Sequence, residues 1–143
     1  MEVRYLIWPL ALVLMSAAAS AGQEASGVKH APAQMTSPAS GKEMFMNYCA
    51  SCHGKDAKGD GPAAAALKQA PADLTMLAKQ NGGKYPADKV TSILRGQASL
   101  AAHGNQEMPV WGPVFWSMSQ GHEEMLQLRI ANLNRYLESL QVK

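Results

Sequence analysis

Five consecutive residues carry the most specific chemistry in the chain: Cys49, Ala50, Ser51, Cys52 and His53. The string C-x-x-C-H is the attachment signature of c-type haem. On a helix, residues three apart share a face. Both thiols can then reach the two vinyl groups on one porphyrin edge. The histidine that follows can swing under the iron and ligate it through a ring nitrogen. Two other chemistries use closely spaced cysteines. A thioredoxin-like redox pair needs a βαβ setting, which the hydrophobic pattern does not offer. A zinc site needs further Cys or His at ligand spacing, and the chain has 2 cysteines in all.

His53 accounts for one axial position on an iron. The candidates for the other are Met76, Met108, Met118, Met125, His103 and His122. Met108 precedes Pro109, and the residue before a proline is pushed away from helix toward extended backbone. That suits a ligand presented from a loop. Met125 sits at core-like helical spacing and Met118 follows Phe115 and Trp116, so both read as packing residues. Met76 lies in a short apolar patch with no supporting motif. His103 keeps bis-histidine ligation open as the rival arrangement.

The elements that must position these residues occupy only part of the 143-residue chain. Residues 1–21 run from a short segment bearing Arg4, through the apolar LIWPLALVLM, to Ala19-Ser20-Ala21. This is the order of a secretory signal peptide with an A-x-A cleavage site. Left uncleaved, the segment would be a membrane anchor, although it is short for one and interrupted by Pro9. Residues 22–40 are rich in Ala, Ser, Pro and Gly and cannot bury enough apolar surface to offset the entropy of ordering them. They read as a flexible linker. The folding unit is 41–141. A unit of about 100 residues has a marginal core, which a large apolar cofactor would reinforce. With 13 Lys+Arg against 11 Asp+Glu, the charge balance gives no nucleic-acid-binding surface.

Within 41–141 the apolar periodicity is helical. Met44, Phe45 and Tyr48 share a face, and Ser40 with Glu43 makes a capping box at their N-terminal side. Residues 54–62, GKDAKGDGP, read as a loop, and Ala63 to Lys68 as a short helix. Asp88 to Arg95 places Val90, Ile93 and Leu94 on one face and stops at Gly96. Glu123 to Gln141 is the longest amphipathic segment, with Leu126, Ile130, Leu133, Leu137 and Leu140 along one stripe.

The chain resembles the class I (monohaem) c-type cytochromes of bacteria over Gly41 to Gln141. The likeness is carried by CASCHG at 49–54, GDGP at 59–62, a PADLT stretch at 71–75, MPVWG at 108–112 and the C-terminal helix. It implies an all-α fold of short helices around one haem c, attached through Cys49 and Cys52 and ligated by His53 and Met108. It implies that the C-terminal helix crosses the N-terminal one, with Gly41 and Phe45 meeting the region of Tyr136. It also implies that the Pro62 carbonyl accepts a hydrogen bond from the other ring nitrogen of His53, fixing its tautomer; the alternative is an ordinary turn proline, and the GDGP context favours the carbonyl role.

For the haem propionates the resemblance offers the Trp111 indole and, more weakly, Tyr85. Trp111 equally suits packing against the porphyrin. Arg95 could reach a propionate or simply complement the C-terminal dipole of its helix. With both axial sites filled, one-electron exchange is what remains. The expectation is an exported, periplasmic carrier of single electrons between redox protein partners, not an enzyme. It would contact a membrane only through an uncleaved N-terminal segment. The alternatives are a ligand-binding sensor or haem enzyme with a labile sixth ligand, and the cytochrome subunit of a larger oxidoreductase.

Overall fold

The computed structural model describes residues 1, 33–97 and 110–142. The contacts divide the chain at residue 31, and Pro32–Lys143 is one compact unit. Apart from Met1, the described residues all belong to that unit, and they contain helices and turns with no strand. The expected signal peptide, and the linker up to residue 32, lie outside the described residues.

Ser40 begins the first helix as expected, its hydroxyl oxygen accepting the Glu43 amide at 3.2 Å. The capping box closes on one side only, because the Glu43 carboxylate accepts from the Ser37 amide instead of that of Ser40. Helix α1, Gly41–Met44, runs into a π-helical turn, Phe45–Cys49, and then into α2, Ala50–His53. The helical path therefore continues past Cys49 through the whole C-x-x-C-H string. Met44, Phe45 and Tyr48 are buried, as their spacing predicts.

Helix α6, Glu123–Ser139, buries Leu126, Ile130, Leu133 and Leu137. It ends two residues short of Gln141, whose side chain is drawn into other contacts. Met125 corrects the expectation of packing: it is exposed, because it falls outside the 126/130/133/137 stripe. Helix α1 crosses α6 at very close range. A Cβ on Gly41 would overlap the Asn132 carbonyl and press on the Tyr136 side chain, so only glycine fits there. One turn on, the rings of Phe45 and Tyr136 meet with centroids 5.5 Å apart. The expected meeting of the two terminal helices is thus realised. Phe45 is fully buried, and burial of such a side chain contributes roughly 1.5–3 kcal/mol.

Between these helices come a 3-10 turn at Ala64–Ala66, where a longer helix was expected, and a second at Leu74–Met76 leading into α3, Leu77–Gln80. Helix α4, Ala87–Arg95, buries Val90 and Leu94 and stops at Gly96. Helix α5, Trp111–Met118, has no counterpart in the sequence expectations. Its Pro113 lies in the first turn, where a missing N–H costs nothing.

The helices are tied together by polar groups as well as by the core. The Tyr85 hydroxyl donates to Asn134 Oδ1 at 2.7 Å, and Asn134 Nδ2 donates to the Ala87 carbonyl and the Thr91 hydroxyl, both at 2.8 Å. Tyr85 and Asn134 are buried, so this network fixes the start of α4 against α6. Among the described residues no helix is long and apolar enough to cross a membrane.

Candidate cofactor site

The C-terminal turn of α2 leaves backbone carbonyls without intrahelical partners. The GKDAKGDGP loop supplies those partners. Gly59 N–H donates to the His53 carbonyl at 2.8 Å, Gly61 N–H to Cys52 at 3.0 Å and Ala63 N–H to Ser51 at 2.9 Å. A side chain at Gly61 would drive into the Ala50 and Ser51 carbonyls, so the loop can lie this close only with glycine there. The glycine-rich loop is thus the brace of the segment that carries Cys52 and His53.

His53 is buried, and its Nδ1 lies 3.0 Å from the Ala72 carbonyl oxygen. A carbonyl can only accept, so Nδ1 carries the hydrogen and Nε2 keeps the lone pair that a metal would take. This corrects the role assigned to Pro62. Pro62 is exposed, on the loop that braces α2. The acceptor comes instead from Pro71–Leu74, which is held beside the ring by a Leu74 N–H bond to the Ala57 carbonyl at 2.7 Å. Asp73 shapes the same stretch, its Oδ1 accepting from the Thr75 amide at 2.9 Å and the Thr75 hydroxyl at 2.6 Å. Ala72 carried no side-chain signal of this role, because a backbone carbonyl has none; the PADLT stretch around it was the available clue.

Cys49 and His53 open onto a cavity of about 440 Å³, within the size range of small-molecule and cofactor sites. Leu74 and Leu77 form one apolar wall, Val90, Ile93 and Leu94 of α4 another, and Leu137 closes it from α6. The rim is polar, with the exposed Gln69, Gln80, Asn81 and Lys89. Both cysteines are free thiols. Burial, with Cys52 nearby, pushes the Cys49 thiol up to about 12. A redox C-x-x-C works through a thiol whose pKa is lowered, so Cys49 is shifted in the wrong direction for that chemistry. Two thiols three residues apart, of which Cys49 lines the cavity, a histidine with a preset tautomer and largely apolar walls together fit haem c.

The remaining candidates separate. Arg95 does not line the cavity; its guanidinium donates to Glu123 Oε1 at 3.0 Å in an ion pair. That geometry does not support a propionate role. Hydrogen bonds from Gln127 and Arg95 hold the Glu123 carboxyl below its ordinary value. Trp111 is half-buried and packs against the core in an aromatic group, its ring centroid 5.1 Å from Tyr48 and 5.7 Å from Phe115. Tyr85 is committed to Asn134. Met118 packs near Tyr48, with Sδ 3.5 Å from the hydroxyl. Met108, Pro109 and His103 lie outside the described residues.

One contributor gave no signal in the periodicity. The Gln141 amide donates to the Leu74 and Leu137 carbonyls and accepts from the Ala78 amide, each at 2.8 Å. It fastens the Leu74–Leu77 wall to the end of α6.

A family model for cytochrome c matches residues 38–141, which includes every residue of the site described above. No curated protein and no solved structure matches the chain.

Proposed function

The chain belongs to the cytochrome c family, and on that premise we propose that it is an exported monohaem carrier of single electrons, with His53 and Met108 as axial ligands. Family membership implies covalently bound haem c and electron transfer in general terms. The observation that carries the finer reading is the placement of His53. It is buried at the same cavity as Cys49, with its Nδ1–H spent on the Ala72 carbonyl.

When bound, haem c supplies one-electron exchange between Fe(II) and Fe(III). The chain's own residues do the rest. Cys49 and Cys52 hold the group through thioethers. His53 presents Nε2, and the Ala72 carbonyl keeps its ring from rotating and increases its basicity. The leucine and valine walls exclude water and lower the local polarity. Met108 would be the second ligand, a soft thioether placed before Pro109, a sequence position that disfavours helix. Neutral His/Met ligation favours the ferrous form over bis-histidine ligation. The presence of one C-x-x-C-H string supports a single haem. The A-x-A segment at 19–21 supports export to the periplasm.

The test is the reaction of the ferrous, haem-loaded protein with carbon monoxide at neutral pH. A carrier with both axial positions filled reacts slowly or not at all. Rapid binding without denaturant would overturn the carrier reading in favour of a sensor or enzyme with a labile sixth ligand.

A further inference from the structure

We propose that Lys89 is the cationic seat of the haem propionates, assisted by Gln80 and Asn81 on the rim of the same cavity. The inference rests on the reading that Cys49, Cys52 and His53 hold haem c. Attachment of one porphyrin edge at the cysteines leaves the two propionate carboxylates on the far edge. Such groups are costly to desolvate unless they meet hydrogen-bond donors and positive charge.

The cavity is graded in the required way. Its walls are apolar, and apart from the buried His53 its polar lining residues are the exposed Gln69, Gln80, Asn81 and Lys89. Lys89 is the single charged residue among those that line it, and no carboxylate does. The other cation on α4, Arg95, is paired with Glu123, the one ion pair among the described residues. Helix stability does not explain Lys89 either. It is the third residue of α4, and the helix dipole disfavours a cation in the first turn. The charged residues closest to it in sequence are Asp88 on α4, Lys84 before it and Lys79 on α3, and from α6 the Glu138 carboxylate acts on Tyr85 just ahead of α4; all four are exposed and none lines the cavity.

The experiment compares the haem-loaded full-length chain with its Lys89→Gln and Lys89→Arg variants. The midpoint potential is followed against pH. An adjacent cation lowers a carboxyl pKa by about 1–3 units. Lys89→Gln should therefore raise the pH at which the potential begins to fall by about one unit, a tenfold change in the acid constant. Lys89→Arg should retain the parent profile. In the parent protein, acetylation followed by mass spectrometry should modify Lys89 several-fold more slowly than the exposed Lys84. A Lys89→Gln profile superimposable on the parent's, or equal acetylation of the two lysines, overturns the assignment while leaving the haem reading intact. A chain whose mass and spectrum show no covalent haem overturns both.

Discussion

His53 and Ala72 stand 19 residues apart and meet at 3.0 Å, ring nitrogen to carbonyl oxygen. The contact decides which nitrogen of the imidazole faces the cavity. It depends on the turn that Asp73 caps. Asp73→Ala removes an acceptor for both the amide and the hydroxyl of Thr75, a loss of about 1 kcal/mol for a cap of this kind. At roughly 4–8 °C per kcal/mol for a domain of this size, calorimetry should show a fall of several degrees. Exchange of the His53 Nδ1 proton should quicken, while Asp73→Asn, which still caps, retains most of both properties. An Asp73→Ala protein with parental exchange would show that Ala72 is held by other means.

Met108 is tested through the thioether–iron charge-transfer band near the red end of the visible spectrum. Met108→Ala should abolish this band, lower the reduction potential and admit external ligands, with the haem still attached. The direction follows from the preference of a soft thioether for Fe(II). His103→Ala should keep the band and shift the potential little. The reverse pattern would make the iron bis-histidine ligated.

Gly41 sets the distance between the terminal helices. Gly41→Ala places a methyl group against the Asn132 carbonyl, and overpacking of this kind costs about 1–3 kcal/mol. Thermal unfolding should move down by several degrees without loss of the haem spectrum. An unchanged midpoint would mean that α1 and α6 can separate freely.

Tyr85 gives the fold an alkaline limit. Burial, and then the Glu138 carboxylate, raise its phenol above the ordinary 10.0. The folded chain therefore keeps a proton that the unfolded chain releases. The associated stability is fully present below pH about 10 and is lost as pH rises from there through the folded value. Urea unfolding between pH 9 and 11.5 should show a decline above pH 10 that is shallower in Tyr85→Phe. Cys49 has the same sign of shift, but in the haem-loaded protein its sulfur is a thioether and does not titrate. A Tyr85→Phe protein with the parental decline would place the alkaline limit elsewhere.

The sequence by itself determined the chemistry of the attachment site and the main helical faces. C-x-x-C-H is contiguous, so its meaning survives without coordinates, and the stripe Leu126, Ile130, Leu133, Leu137 follows from a period of 3.6 residues. The Ser40 cap is equally local, an oxygen reaching an amide three residues on. Tertiary structure decided what depends on distant backbone. The partner of His53 is a carbonyl, identical in chemistry at every position, and only folding selects Ala72 over Pro62. Arg95 has several possible anions within its reach along the chain, and the packing of α4 near the start of α6 gives it Glu123. Met125 has the composition of a core residue, but its angle on α6 turns it to solvent. Side-chain type and short-range period are written in the residues; the pairing of a particular donor with a particular acceptor is a property of the path the chain takes between them.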